Sequence, residues 1–332
     1  MRIGLAGAGR IGTAHARTLR TLPGVAEVVV ADADPRRARE AAAGLGVQAA
    51  ADVGALFTAG LDALVVAAPT DAHAGLVMRA VEAGTPVFVE KPVAPDLAGT
   101  IEVLAAVRGA GVPVQVGFQR RFDPGHAAAR DAVRSGRLGW VHTVRSCTLD
   151  PVPPPDDYIP GSGGLFRDCS VHDFDAVRFV TGREVTEATA TGANRGSAAF
   201  AEAGDVDTGA ATLTLDDGTL ALVSATRYNA AGYDVRLEVL GSLDGVVAGL
   251  DDGTPLSPAA GGIRPAGPAH TGFLERFADA YAAELAAFAR MVADGTASPC
   301  PPEEGLEALY IAEACEISRR ERRTVAIEEV RR

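Results

Sequence analysis

Two short strings in the first hundred residues carry most of the chemical information. The first is Gly7-Ala8-Gly9-Arg10-Ile11-Gly12, a GxGxxG pattern between an apolar strand-like run and a helix-like run. In that setting Gly7 permits a tight turn, Gly9 leaves room for a pyrophosphate, and Gly12 allows close helix–strand packing. The helix that opens there offers unpaired N–H groups and a partial positive charge to phosphates. Arg10 and Ile11 sit inside the same loop. Asp32 stands at the end of the second apolar run, twenty residues after Gly12. A carboxylate there accepts hydrogen bonds from ribose hydroxyls and repels a 2′-phosphate, which favours NAD over NADP. The string alone also fits a plain structural turn with Asp32 as a helix cap.

The second string is Glu90-Lys91-Pro92, at the end of a fourth apolar strand. An ammonium at a strand terminus facing a cofactor crevice can donate to a hydroxyl and favour the alkoxide that forms as hydride leaves. Pro92 holds Lys91 in extended backbone. Between the two strings lies Pro69-Thr70-Asp71-Ala72-His73, after a third strand. Pro69, Thr70 and His73 are candidates for dinucleotide contact, although Thr70 could cap the next helix and His73 could lie on its surface.

The elements that position these groups alternate regularly. Strands are expected at Arg2–Ala6, Ala26–Ala31, Ala63–Ala67, Pro86–Glu90 and Pro113–Gly117. Helices are expected at Gly12–Leu22, Pro35–Leu45, Asp71–Ala83 and Asp96–Gly109. Continuous apolar strands separated by helices imply a parallel sheet covered on both faces. After a helix at Pro124–Ser135 the pattern changes. Strands at Trp140–Leu149, Val185–Ala193, Thr208–Leu215, Leu220–Tyr228 and Val235–Gly241 follow, with Asp216-Asp217-Gly218 as a hairpin turn. One helix near Asp168–Val180 interrupts them. The fold class is therefore α/β: a Rossmann-type domain, 1–120, followed by an α+β domain, 121–332, with a largely antiparallel open sheet. Asp150–Gly164 and Asp251–Gly272 read as punctuation, the latter as a long exposed segment. Helices at Phe273–Ala293 and Glu303–Arg319 and a short strand at Thr324–Ile327 complete the reading.

Composition bounds the function. The 332 residues are 47% hydrophobic and 22% charged, as in soluble globular domains, and the length suits two of them. A net charge of −12 argues against a general nucleic-acid binder. Cys147, Cys169, Cys300 and Cys315 form no CxxC pair and no zinc-like spacing, so no metal site is expected and a reducing cytoplasm is. No apolar run is long enough to cross a membrane. The opening Met1–Gly7 is too short and too glycine-broken for a secretory leader.

Together with Gly117-Phe118-Gln119-Arg120-Arg121-Phe122-Asp123, Gly163–Asp175, Gly232–Glu238 and Glu275–Tyr281, these motifs resemble the glucose-fructose oxidoreductase/inositol dehydrogenase/rhizopine catabolism family, inositol 2-dehydrogenases most of all. The resemblance spans nearly the whole chain except the stretch around 251–270. It implies an NAD-dependent dehydrogenase acting on a ring hydroxyl of a cyclitol or sugar, with myo-inositol oxidised to 2-keto-myo-inositol as the first choice. It also implies a homo-oligomer, dimer or tetramer, whose second domain supplies a pocket wall and a subunit interface. Lys91, Asp168 and His172 match the family's catalytic set residue for residue. Asp168 and His172 are four apart and share a helix face, which suits a carboxylate orienting an imidazole that handles a proton. Glu90 and Gln119 fall beside the cofactor, and Arg120, Asp150, Tyr233 and Tyr281 where relatives line the polyol pocket. Cys169 reads as a packing residue. The run Cys147-Thr148-Leu149-Asp150 departs from the polar or basic segment of close inositol dehydrogenases. That leaves open another substrate, such as a glucoside, levoglucosan or scyllo-inositol. A non-catalytic dinucleotide sensor is the alternative outside the enzymes.

Overall fold

A computed structural model describes residues 1–262 and 267–332. The chain divides into two compact units, Met1–Gln119 with Asp279–Leu306, and Arg120–Ala278 with Glu307–Arg332.

The first unit carries a six-stranded parallel sheet. Its strands are β1 (Arg2–Ala6), β2 (Glu27–Ala31), β3 (Gln48–Ala49), β4 (Ala63–Val66), β5 (Val87–Glu90) and β6 (Val114–Gly117), in the order β3-β2-β1-β4-β5-β6. Strand order reverses beside β1, and in open α/β sheets ligands bind at that switch point, outside the carboxyl ends of the strands. β4, β5 and β6 are buried at every position, as a sheet covered on both faces requires. Local chemistry sets the helix ends. Asp34 accepts the Arg36 amide and Pro35 takes the first turn of helix Pro35–Leu45. Asp96 accepts the Gly99 amide to open helix Leu97–Ala110.

A single boundary near residue 120 does not describe the chain, because Asp279–Leu306 belongs with the first unit. The reason is packing. Leu285, Phe288 and Met291 of helix Ala278–Asp294 join Ile3, Leu5, Val65 and Phe88 in one buried cluster. Phe88 and Phe288 meet edge to face at 5.8 Å, and Gln115 Nε2 donates to the Glu284 carbonyl at 3.2 Å. The helix expected over Phe273–Ala293 breaks at Phe277, into Phe273–Arg276 and Ala278–Asp294. Periodicity shows that a helix has a buried face, but not which sheet will cover it.

The second unit carries a seven-stranded sheet. Its strands are β7 (Val141–Leu149), β8 (Val185–Ala193), β9 (Thr208–Leu215), β10 (Leu220–Thr226), β11 (Asp234–Gly241), β12 (Gly245–Ala248) and β13 (Val325–Ala326), in the order β12-β11-β7-β10-β9-β8-β13. All pairs are antiparallel except β7 with β10. Alternation is strict along β9 and β10. Gly209, Ala211, Leu213, Leu215, Ala221, Val223 and Ala225 face the core, while Ala210, Thr212, Leu222 and Ser224 face outward. The expected helix near Asp168–Val180 is a π turn, Phe166–Ser170, running into helix Val171–Thr181. The short β3 and β12 lie outside the expected strands, being too brief for a periodic signal. In the segment 251–272, residues 263–266 lie outside the described ones. Of the rest, Thr254 is buried and Asp251 accepts from His270 and the Gly253 amide.

Candidate active site

The glycine loop lies at the carboxyl end of β1. Gly7 has φ +104°, a conformation L side chains rarely adopt, and a Cβ there would meet the Ala67 backbone at 2.5 Å. A Cβ on Gly12 would meet the Gly7 carbonyl oxygen at 1.8 Å. A Cβ on Gly9 would meet nothing within 4 Å. The three glycines thus do different work: two allow backbone to approach backbone, and the third keeps the ligand side open. Helix Arg10–Leu19 starts at this loop, with Gly9 as its N-cap and no side-chain cap on its first amides. Arg10 is exposed and Ile11 half-buried. Asp32 fixes the loop from the next strand. Its Oδ2 accepts the Ala8 amide at 2.7 Å, its Oδ1 accepts the Asp34 amide at 2.9 Å, and Arg37 Nη1 lies 3.6 Å from Oδ1. These residues fit a dinucleotide: an open glycine, a helix N-terminus whose amides have no side-chain cap, and an acid beyond the second strand.

The turns after β4 and β5 are tied together. His73 is buried, with Nδ1 2.7 Å from the Pro92 carbonyl oxygen and Nε2 2.8 Å from the Ala68 carbonyl oxygen. Its ring thereby braces the two turns, both nitrogens being engaged by backbone. Pro69 is the residue before helix Thr70–Glu82, so Thr70 begins that helix rather than capping it. Glu90 closes β5 with its carboxylate 2.6 Å from His15 Nε2, both side chains buried. Lys91 follows, half-buried, joined to Pro92 by a cis peptide bond. Gln119 is buried at the start of the 3-10 turn Gln119–Phe122. Tyr281 belongs to this first unit and is buried, its ring 5.7 Å from that of His15.

In the second unit, Gly163 and Gly164 both have positive φ and lead into the π turn that carries Asp168. Such turns recur at functional sites. A Cβ on Gly164 would press on Asp205 Oδ1 at 3.2 Å, the oxygen that accepts the Leu165 amide. Asp168 Oδ1 accepts from the Tyr158 hydroxyl at 3.3 Å, and Oδ2 from Arg227 Nη2 at 2.6 Å. Arg227 Nη1 donates to Asp150 Oδ2 at 2.9 Å, and the Cys169 thiol lies 3.5 Å from the same oxygen. His172 is half-buried on the first turn of helix Val171–Thr181, four residues after Asp168. Burial opposes the charge of Arg227, but the Cys169 sulfur and the two carboxylates outweigh it and raise its pKa above the ordinary value. Burial and Asp168 push the Tyr158 hydroxyl well up, and burial does the same for Tyr233, so both remain O–H donors.

Arg120 is 1% exposed and committed to structure. Nη1 donates to Asp173 Oδ1 at 2.8 Å and Nη2 to Thr148 Oγ1 at 2.6 Å, while Ser146 and Thr148 also donate to Asp173. Its guanidinium is thus part of a buried ion pair with Asp173. Tyr233 is buried beside it. Arg227, which sequence reasoning missed, stands at the centre of the polar cluster. No motif marks it; an Arg just past an alternating strand is the only hint.

A doubly wound unit with a glycine cradle, joined in one chain to a sheet unit bearing a buttressed carboxylate and an imidazole, defines a nicotinamide-dependent oxidoreductase. Residues 1–118 match the oxidoreductase family, NAD-binding Rossmann fold, and residues 126–247 match the GFO/IDH/MocA C-terminal domain. The chain is 43% identical over 300 residues to a myo-inositol dehydrogenase of Streptomyces leeuwenhoekii, covering 90% of each. It superimposes on a myo-inositol dehydrogenase of Corynebacterium glutamicum with a TM-score of 0.91, at 38% identity and 98% of each chain. For scyllo-inositol dehydrogenase of Lactobacillus casei with bound NAD(H) and scyllo-inositol, the TM-score is 0.88 at 29% identity, covering 99% of each chain. The chain belongs to the GFO/IDH/MocA oxidoreductase family. Among the described residues, no helix is long and apolar enough to cross a membrane, and no group of three or more His, Cys, Asp or Glu could hold a metal ion.

Proposed function

We propose that this protein oxidises a ring hydroxyl of a cyclitol with NAD as hydride acceptor, with myo-inositol converted to 2-keto-myo-inositol. The observation that carries the reading is the Asp168 carboxylate. It is held by Tyr158 and Arg227 on the turn that delivers His172, a setting suited to proton handling beside a polyhydroxylated substrate. His172 accepts the hydroxyl proton, and Asp168 orients His172 and supports its positive charge. Lys91 donates to the reacting oxygen and stabilises the developing alkoxide. Asp150, whose Oδ2 is held by Arg227, accepts from a second substrate hydroxyl. When bound, NAD takes the hydride. We assign its pyrophosphate to the Gly9–Gly12 amides and its ribose to Asp32, with Pro69, Thr70 and Glu90 in the supporting turns. The first unit is thus the cofactor domain and the second the substrate and oligomerisation domain.

A dimer or tetramer is part of the same reading. The outward face of the seven-stranded sheet exposes Leu220 and Leu222 and holds a shallow concavity of about 550 Å³ lined by Arg145, Thr191, Ala210, Leu222 and Arg236. A second copy would cover it. The four free cysteines suit a reducing cytoplasm. The test is turnover: protein, NAD and a panel of cyclitols and sugars, followed by reduced-nicotinamide absorbance. Reduction with myo-inositol supports the proposal. Reduction with glucose but not inositol reassigns the substrate, and none with any polyol or sugar rejects the dehydrogenase.

A further inference from the structure

Arg227 follows β10 and lies beneath two carboxylates that are partly open to solvent. Its side chain is 6% exposed, against 20% for Asp150 and 15% for Asp168. The two acids come from different places, the end of β7 and the π turn, and one guanidinium reaches both. Two carboxylates brought to one cation would repel each other without it. A buried ion pair is a weak device for stability alone. The forked geometry is what a point charge could not reproduce: two N–H groups fix the directions of two separate acids at once.

We propose that Arg227 is a positioning residue for the oxidation, holding Asp168 ionised and aimed while keeping Asp150 available as a second hydroxyl acceptor. This rests on the function proposed above, in which Asp168 orients His172. The guanidinium does not titrate in any working range, so the arrangement is permanent rather than switchable. In the cluster around Asp168, Tyr158 and Arg227 are bonded to its carboxylate, Asp150 shares Arg227 and meets the Cys169 thiol, and His172 follows four residues on in the first turn of the next helix. Asp205 sits at the Leu165 amide that opens the turn, and Asp173 is engaged by Arg120. Arg227 donates one N–H to each of the two carboxylates.

The experiment is the pH dependence of kcat/KM for the cyclitol in the parent, Arg227→Gln and Arg227→Lys. Alongside it, the Asp168 carboxyl is titrated by NMR in protein labelled at aspartate Cγ. Loss of the charge in R227Q should move the acidic limb, and the Asp168 titration, up by about one to three pH units. Activity near the parent's acidic limb should fall by about tenfold and return at higher pH. R227K should keep the acidic limb near the parent's but lower kcat, because one ammonium cannot hold both acids in plane. An acidic limb and an Asp168 titration in R227Q that match the parent's would overturn the proposal. So would an unchanged kcat in R227K, which preserves the charge should R227Q fail to fold. If the parent oxidises no cyclitol, the proposed function fails, and the Asp168 titration still decides the role of Arg227.

Discussion

Gly9 and Gly12 are three residues apart in one loop, and the structure gives them opposite sensitivities. In Gly12→Ala the new methyl would stand 1.8 Å from the Gly7 carbonyl oxygen, where ordinary contact begins at 3.4 Å. The shortfall of about 1.6 Å falls on backbone, which cannot swing aside as a side chain can. Overpacking of this kind costs about 1–3 kcal/mol or more. For a domain of about 150 residues, 1 kcal/mol corresponds to about 2–4 °C, so G12A should melt about 5–10 °C below the parent. In Gly9→Ala the methyl meets no protein atom within 4 Å. Only the N-cap advantage of Gly over Ala is lost, a matter of some tenths of a kcal/mol to about 1 kcal/mol, and melting should shift by no more than about 4 °C. The methyl would instead occupy space assigned to the pyrophosphate, so NAD affinity should fall by about tenfold or more. Thermal melting without ligand and calorimetric titration with NAD separate the two effects. A G9A protein that binds NAD as the parent does, or a G12A protein that melts like the parent, would refute the reasoning.

Three further outcomes follow from the same geometry. Lys91→Ala should lower kcat by about 10²–10³-fold while NAD affinity stays within about twofold, measured by steady-state kinetics and calorimetry; parent-like turnover would remove Lys91 from the reaction. Burial alone would raise the Asp123 pKa, but His126 at 2.8 Å and Arg276 at 2.9 Å hold the carboxyl below the ordinary range. Its stabilisation is therefore complete above the unfolded value of about 4 and lost as pH falls further. Asp123→Asn should be less stable than the parent in urea at pH 7, with the gap narrowing below about pH 4, and a gap independent of pH would contradict this. Burial and Asp234 push the Cys147 thiol up to about 11. At pH 8 iodoacetamide should modify it about 10²-fold more slowly than a free thiol, and labelling at the free-thiol rate would disprove the shift.

Much of the fold is legible in the sequence because its signals are local. Continuous apolar strands and the glycine string each announce an element and its place. The positions of Asp32 and Lys91 are legible for the same reason, each directly following a readable strand. What escapes is long-range. The pattern of Leu285, Phe288 and Met291 shows a buried face, but only the fold shows that Phe88 and Val65 cover it. His73 becomes a brace because the Ala68 and Pro92 carbonyls converge on it, from positions five before and nineteen after it. Arg120 turns inward because Asp173, fifty-three residues on, waits in the core. Arg227 carries no motif, since its meaning comes from two acids that are distant in sequence, Asp150 and Asp168. Pairings of this kind are made by topology, and a single sequence does not display them.

The most direct test of the central claim follows the hydrogen itself. With myo-inositol deuterated at C2 as substrate, the reduced nicotinamide should carry deuterium at C4 and the product should be 2-keto-myo-inositol. Turnover without transfer of the label, or no reduction of NAD by myo-inositol at all, would contradict the account.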